Sequence, residues 1–542
     1  MSSLPSLEML RGMRPDALAT VAHALRTFLR ETTEDKAGHL ASSLGVTELT
    51  VALHALLQCP EDILIWDVGH QAYGHKVLTD RAEVFRANRT PAGPSGFPKR
   101  DESPYDAFGV GHSSTALSAL LGFARADVLQ GVSRRRVAVV GDGAFTGGMV
   151  FEALNDAGSR GDDVLLILND NGQAIEENVG ALHQNGRYEA FAQSLGWAWM
   201  GGPIDGHDMP ELYSALEHAL QASGPRILHV QTQRPSFEEL GLSESIPGPR
   251  HFQTHFAEGL IDLASEDTRI VGLTAAMAPG SSLDRFREAF PDRFFDGGIA
   301  EGHVMTQAAG MAAAGLRPVV NLYSTFSQRA VDQWIHDVAL QNLPVILCLD
   351  RAGLVGEDGA THHGVFDLTL FRSVPNTAIW APRNGEALKE ALREALAYGG
   401  PSIIRYPKGT EPELPAALER RGRMDILQWG TGTVHFCLGP VVADALAEAQ
   451  PTESVVDLRM AKPINPDMLA HFAKNHYRWM VWEDGQALGG VGAALSTWLA
   501  ENAIPNVQCI RRSYPDQFIG HGPSEALQAQ FRTSARSEAD RV

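Results

Sequence analysis

Residues 137–171 read VAVVGDGAFTGGMVFEALNDAGSRGDDVLLILNDN, and this stretch decides the fold. An apolar run, 137–140, ends in Gly-Asp-Gly. A small-residue turn and a helix-like segment follow, and a second apolar run, 164–168, ends in Asn-Asp-Asn. The spacing predicts a strand–helix–strand unit with parallel strands, since a parallel pair needs a crossover between its strands. Asp142 and Asn171 then leave neighbouring strands at one edge of the sheet, where open α/β sheets bind their ligands. A carboxylate and an amide oxygen suit a hard cation such as Mg²⁺, which keeps positions for phosphate oxygens. The glycines let backbone amides approach a diphosphate. A lone Gly-Asp-Gly is a common turn; its pairing with Asn-Asp-Asn at the next strand end makes it a signal.

At 542 residues the chain is too long for one core, and two to four domains are expected. No apolar run approaches the length of a membrane span, and the N-terminus lacks the basic-then-apolar layout of a secretory signal. Cys59, Cys348, Cys437 and Cys509 are scattered with no CxxC pair. They read as thiols of a reducing cytoplasm, not zinc ligands. The formal net charge of −20 disfavours nucleic acid as a partner. It also requires local cations to capture an anionic substrate. Arg134-Arg135-Arg136 reads as a solvated turn before the first strand of the unit.

Three glycine-flanked histidine loops precede the metal motif: Gly38-His39, Gly69-His70 at the end of a strand, and Gly111-His112-Ser113 before a helix at 116–126. Any one of them reads as structural. Three together suggest polar groups converging on a ligand. A strand at 227–232 follows, then a linker rich in Pro, Ser and Glu at 233–250. A second alternating unit has strands at 269–274, 318–323, 344–349, 377–380 and 402–406. It carries Glu301 before a small-residue helix, a position where a helix-start glutamate often serves only as a cap. It also carries a polar glycine-rich loop from Asp350 through Asp358 to His362. A third unit has strands at 433–438, 454–458, 478–482 and 507–510. The expected architecture is α/β, with three consecutive domains at 1–250, 251–410 and 411–542 built on mainly parallel sheets.

The ordered motifs GHLASSLG, WDVGHQAYGHK, SGFPKR, GVGHSST, the Gly-Asp-Gly to Asn-Asp-Asn pair, IAEGH, YSTFSQRA, DRAGLVGEDGATHHG, RYPKG and YPDQFIGHG span most of the chain. Together they resemble the 1-deoxy-D-xylulose-5-phosphate synthase family, thiamine diphosphate enzymes of the transketolase superfamily. The resemblance implies a diphosphate-binding domain, a pyrimidine-binding domain and a transketolase C-terminal-like domain, in a cytoplasmic homodimer. It implies Mg²⁺ on Asp142, Asn171 and the Gln173 carbonyl. Cofactor contacts would come from His70, Gly111, His112, Ser113, Gly143, Ala144 and Asn171. Glu301 would bond the aminopyrimidine N1′, and Phe326 would pack on that ring. His39, Asp358 and His362 would surround the substrate, with Tyr323, Arg329 and Arg351 near the acceptor and its phosphate. A buried Glu301 with a raised pKa would favour the cofactor tautomer that acts as a base. The activated cofactor would attack pyruvate, lose carbon dioxide and add the remaining fragment to glyceraldehyde 3-phosphate.

Several positions depart from the family pattern. The stretch between Gly180 and Gly201 is much shorter. Lys408 replaces an arginine that holds the substrate phosphate, keeping the charge but losing the bidentate fork. Gly302 replaces a glutamine, Gly172-Gln173 replaces Glu-Met, and Gln307 stands at a usually aromatic position. The linker lacks a Lys-Gly-Arg-Gly-Tyr run; Phe237 is placed for its tyrosine, and His251 and His255 are the candidates for a linker histidine. These departures keep open a related carboligase with another 2-oxo acid or aldehyde. A cofactor-binding homologue without turnover is the third reading.

Overall fold

The computed structural model describes residues 4–33, 39–173, 178–184, 186–236, 238–241 and 248–539, with side chains to residue 531. Phe237 lies outside the described residues. The chain forms two compact units. The first comprises residues 1–245 with the short segments 298–300 and 357–361; the second holds the remainder.

The first unit is built on one sheet. Its strands are β1 (Ile63–Trp66), β2 (Arg136–Gly141), β3 (Val164–Asp170), β4 (Ala198–Trp199), β5 (Ile204–Asp205) and β6 (Pro225–Gln231). The order is β1-β2-β3-β6-β4, with β5 also on β6 and every pairing parallel. Alternate residues of each strand enter opposite cores. Leu64, Val137, Val139, Leu165, Ile167, Leu228 and Val230 pack on one side, and Ile65, Ala138, Val140, Leu166, Leu168 and Ile227 on the other. That two-sided burial is why these strands read as unbroken apolar runs. The crossover helix Gly148–Arg160 buries Val150, Ala153, Leu154 and Ala157, one stripe at helical spacing, and ends at Gly161 with φ 70°.

The arginine triplet departs from its reading as a solvated turn. Arg136 starts β2 and is buried; Arg134 and Arg136 both grip the buried Asp127 at 2.7 Å.

The second unit holds two sheets. One contains β7 (Ile270–Thr274), β8 (Phe294–Asp296), β9 (Arg317–Tyr323), β10 (Ile346–Asp350), β11 (Ala378–Trp380) and β12 (Ser402–Arg405), in the order β11-β12-β10-β9-β7-β8. The other contains β13 (Glu419–Arg421), β14 (Met424–Gln428), β15 (Gly432–Leu438), β16 (Ser454–Asp457), β18 (His476–Gln486) and β19 (Gln508–Tyr514). Strand β17 (Met460–Lys462) comes from the C-terminal part of the chain but pairs antiparallel with β11. A continuous apolar core, from Leu273, Val320 and Leu347 to Val434, Phe436 and Val481, covers faces of both sheets. Each strand expected from apolar runs is present. The additional strands, β4, β5, β8, β13, β14 and β17, have two to five residues each. No described helix is long and apolar enough to cross a membrane.

One buried charge network in the first unit shapes the loop 95–106. Lys76, fully buried, bonds Glu102 at 2.5 Å and the Ser95 carbonyl at 2.8 Å. Arg81 reaches Glu102 at 2.9 Å and Asp106 at 2.7 Å, and His75 Nε2 meets Asp106 at 3.1 Å. The two carboxylates also accept the backbone N–H groups of Ser95 and Lys99. This fixes the Phe97–Pro98 segment, whose proline packs where a Cβ on Gly69 would stand. Burial works against ionised Asp106, but hydrogen bonds from His75 and Arg81 outweigh it and hold its carboxyl well below the usual range. A carboxyl depressed in the folded state adds stability above its unfolded pKa of about 4 and loses it as pH falls. Asp106→Asn is therefore expected to lower the urea midpoint at pH 7 and to converge on the parent as pH falls below about 4. Glu102→Ala, which leaves Lys76 buried without its main partner, is expected to cost about 3–5 kcal/mol; an unchanged midpoint would refute the network's role.

Candidate active site

In the first unit, the register Gly141↔Asn169 brings the ends of β2 and β3 side by side. Asp142, buried, opens the turn of helix Asp142–Phe145 that carries Gly143 and Ala144. Its Oδ1 accepts from Gly143 N at 2.9 Å, and its Oδ2 from Asn171 N at 3.2 Å and Asn178 Nδ2 at 2.7 Å. Asn171 Oδ1 accepts from Gln173 N at 3.0 Å, across Gly172 with φ 72°. The three expected metal-binding residues thus share one short loop system. Burial and the neighbouring Asp170 push Asp142 up to about 7. Two adjacent carboxylates raise each other's cost of ionisation, and a divalent cation removes that cost. Asn178 Oδ1 is buried without a hydrogen-bond partner, a further oxygen beside Asp142. No group of three or more His, Cys, Asp or Glu that could hold a metal occurs among the described residues. A cation here therefore relies on amide and backbone oxygens and on oxygens that a ligand brings, the pattern of Mg²⁺ on a phosphate. The residues present fit such an ion. Asn178 was not singled out in the sequence, since it lies seven residues beyond the Asn-Asp-Asn signal.

The histidine loops converge in the same unit. The His39 ring lies 5.8 Å from His70, 4.9 Å from Phe97 and 6.2 Å from Tyr73, and its Nε2 is 4.0 Å from Asp358. His70 is partly buried; loss of solvation, with the charge of Arg234, lowers its pKa to about 4. At neutral pH its imidazole is uncharged. His112 Nε2 meets the Thr361 carbonyl at 2.9 Å, and a Cβ on Gly111 would stand 2.5 Å from Thr361 Cβ. Only glycine fits that approach. Asp358 also forms an ion pair with Arg89 at 2.9 Å, with Glu357 at 3.4 Å from the same guanidinium. Arg89, buried and left-handed at φ 65°, carried no local signal: an isolated cation in a turn acquires meaning only from a partner 269 positions away.

In the second unit, Glu301 begins helix Glu301–Ala313 and is only 6 % exposed. Burial raises its pKa, and the Arg329 charge offsets part of that rise. A helix-start glutamate that serves only as a cap need not be buried to this degree. Tyr323 and Phe326 stack at 5.5 Å, and His362 stands edge-on to Phe326 at 5.6 Å. The Arg351 guanidinium lies 4.0 Å over the Tyr323 ring, pairs with the buried Asp350 and donates to the Gly280 carbonyl at 2.8 Å. Tyr323, Phe326, Arg351 and His362 are therefore one cluster. Lys408 is exposed and no described contact ties it to them. A Cβ on Gly302 would stand 3.2 Å from the Gln333 amide, so Gln333 fills space that a longer residue at 302 would need. His251 caps helix Phe252–Glu266 and bridges to Thr410, and His255 lies 3.5 Å from Glu411.

Residues 1–194 and 187–232 match the model for 1-deoxy-D-xylulose-5-phosphate synthase. Residues 250–412 match the pyrimidine binding domain of transketolase and 420–537 its C-terminal domain. The chain is 40% identical to a 1-deoxy-D-xylulose-5-phosphate synthase of Dechloromonas aromatica over 586 aligned positions, which cover 96% of this chain and 95% of that protein. It is 39% identical to those of Methylobacillus flagellatus, over 99% of this chain and 97% of that protein, and of Nitrosococcus oceani, over 100% and 95%. The chain belongs to the 1-deoxy-D-xylulose-5-phosphate synthase family. The two pieces of the N-terminal match meet at 187–194, inside the stretch read as shortened. An alignment of 586 positions on a chain of 542 residues likewise requires family members to carry segments absent here. The transketolase-like α/β fold with mainly parallel sheets agrees with this membership.

The raised pKa of Glu301 has a signed consequence. A group whose folded pKa is raised favours the fold in its protonated form, below its unfolded value, and loses that contribution as pH rises through the folded value. Glu301→Gln, neutral throughout, is expected to be more stable than the parent at pH 7, with the gap closing near pH 4; each unit of elevation corresponds to about 1.4 kcal/mol. Thermal unfolding at both pH values checks this, and a parent more stable than the variant at pH 7 would refute it.

Proposed function

We propose that the protein joins pyruvate to D-glyceraldehyde 3-phosphate with loss of carbon dioxide, forming 1-deoxy-D-xylulose 5-phosphate. The near-full-length identity to synthases of that name carries the reading. The buried Glu301, its pKa raised by burial, supports it from the chemistry. The cofactor proposed is thiamine diphosphate with Mg²⁺, in a cytoplasmic homodimer whose chains comprise domains 1–250, 251–410 and 411–542.

Thiamine diphosphate, when bound, supplies the carbon nucleophile that this chain lacks. Asp142, Asn171 and the Gln173 carbonyl would hold the ion. The backbone of Gly143 and Ala144, at the start of a helical turn, would meet diphosphate oxygens, with His70, Gly111, His112 and Ser113 around them. Glu301, its pKa raised by burial, would share a proton with the aminopyrimidine, and Phe326 would offer that ring an aromatic face. His39, near Asp358, and His362 would move protons to and from substrate oxygens. Arg351, held over Tyr323, would meet the acceptor phosphate with Arg329 and Lys408. Arg351 is already paired with Asp350, which fixes its direction and lowers its net charge at the site.

A related carboligase using another 2-oxo acid or aldehyde is the second reading, favoured by the exposed Lys408 and by Gly302. The intact Glu301, Asp142 and Asn171 argue against a homologue without turnover. Purified protein given thiamine diphosphate, Mg²⁺, pyruvate and glyceraldehyde 3-phosphate is expected to release carbon dioxide and form the phosphorylated product in equal amounts. Carbon dioxide without that product would shift the assignment to the second reading. Glu301→Ala is expected to lower kcat by about 10²–10⁴-fold; activity within a few-fold of the parent would remove its assigned role.

A further inference from the structure

Three segments proposed to meet the diphosphate end of the cofactor leave separate places in the chain: the turn before His70, the loop of Gly111–Ser113, and the turn of Gly143 and Ala144. Two residues outside that set connect them. Asp67 follows β1 directly and is 1 % exposed. Its backbone N–H still bonds the Val139 carbonyl of β2 at 2.8 Å, so the carboxylate is held against the sheet edge. Its Oδ1 accepts from Ser114 N at 2.7 Å and its Oδ2 from Ala116 N at 2.9 Å. Ala116 opens helix Ala116–Gln130, whose N-cap Thr115 makes no side-chain capping bond. Asp67 therefore supplies, from another strand, the acceptor that the helix start needs.

Ser114 carries the connection onward. Its backbone is left-handed, φ 68°, which turns the chain out of the His112–Ser113 loop and into the helix. Its hydroxyl donates to the Ala144 carbonyl at 2.8 Å. A Cβ on Gly147 would lie 2.1 Å from that hydroxyl oxygen, so the serine also occupies the space before helix Gly148–Arg160. On the other side of Asp67, Val68 and Gly69 are both left-handed, φ 59° and 90°, and deliver His70. One carboxylate and one hydroxyl thus hold the three segments in a fixed relation.

We infer that Asp67 and Ser114 are positioning residues for the anionic end of the bound cofactor: they touch no reacting atom but set the mutual placement of His70, His112–Ser113 and Gly143–Ala144. The identity of the ligand rests on the preceding reading. The physical claim is that preorganisation here is shared, so loosening one segment loosens the others. A purely local role would confine the effect of Asp67 to the start of one helix.

Two measurements on the full chain test this. Thiamine diphosphate with saturating Mg²⁺ is titrated by calorimetry into the parent, Asp67→Asn, Ser114→Ala and Ser114→Gly. Asp67→Asn is expected to weaken binding by about tenfold or more, and both Ser114 variants by about three- to tenfold. The loss should fall on cofactor affinity more than on kcat. Ser114→Gly removes the hydroxyl while relieving the left-handed strain, so weakened binding there cannot be assigned to misfolding. In parallel, hydrogen–deuterium exchange without cofactor is compared for 112–116 and 143–147. Asp67→Asn is expected to raise exchange in both stretches together. Parental affinity in Asp67→Asn and Ser114→Gly, or faster exchange confined to 114–116, would overturn the inference. A parent that binds no thiamine diphosphate would overturn the functional reading instead, and the exchange comparison would still decide the coupling.

Discussion

The parallel pairing of β2 with β3 governs the first unit. The middles of β2 and β3 are buried on both faces and apolar, so their polar groups appear where the strands end. In-register pairing makes both stop at one edge. Asp142 and the Asn169-Asp170-Asn171 run emerge there together. β1 on the flank ends in Asp67 and leads to His70. β6 on the other side ends at Gln231, and the following Thr232 bonds Asn169 at 2.7 Å. The polar edge follows from the sheet, and the site follows from the edge.

Burial of charge is resolved in three different ways, and the differences separate support from chemistry. Lys76, Arg81, Glu102 and Asp106 neutralise one another through several short ion pairs, which makes them a rigid prop for the loop bearing Phe97. Asp142 and Asp170 are neighbouring carboxyls; burial and that contact push Asp142 up to about 7, a cost that an added cation would relieve. Glu301 carries the cost of burial as a raised pKa, which the Arg329 charge offsets only in part. The first solution is closed within the protein.

Apolar runs bounded by glycine located the long strands of all three sheets, because two-sided burial leaves its mark on every residue of such a strand. The short strands left no such mark; two or three residues carry too little periodicity, and β17 joins its sheet from more than seventy residues beyond β11. The same contrast holds in the site. Asp142, Asn171 and Glu301 sit at strand and helix ends, where local pattern already restricts the residue types. Arg89, Asn178, Asp67 and Ser114 act through partners distant in sequence; Asp67 and Ser114 lie inside quoted motifs, but their contacts are set only by the fold.

The amino-acid sequence by itself determined the alternating α/β architecture, the family and the residues at strand ends, since these depend on periodicity and on short ordered motifs. Tertiary structure decided which buried charges are neutralised and which stay open. It also decided that residues 357–361 belong with the first unit and that the second and third sheets share one core. The physical reason is range. Periodicity and capping act over a few residues, whereas desolvation and hydrogen bonding depend on whichever atoms the fold brings near.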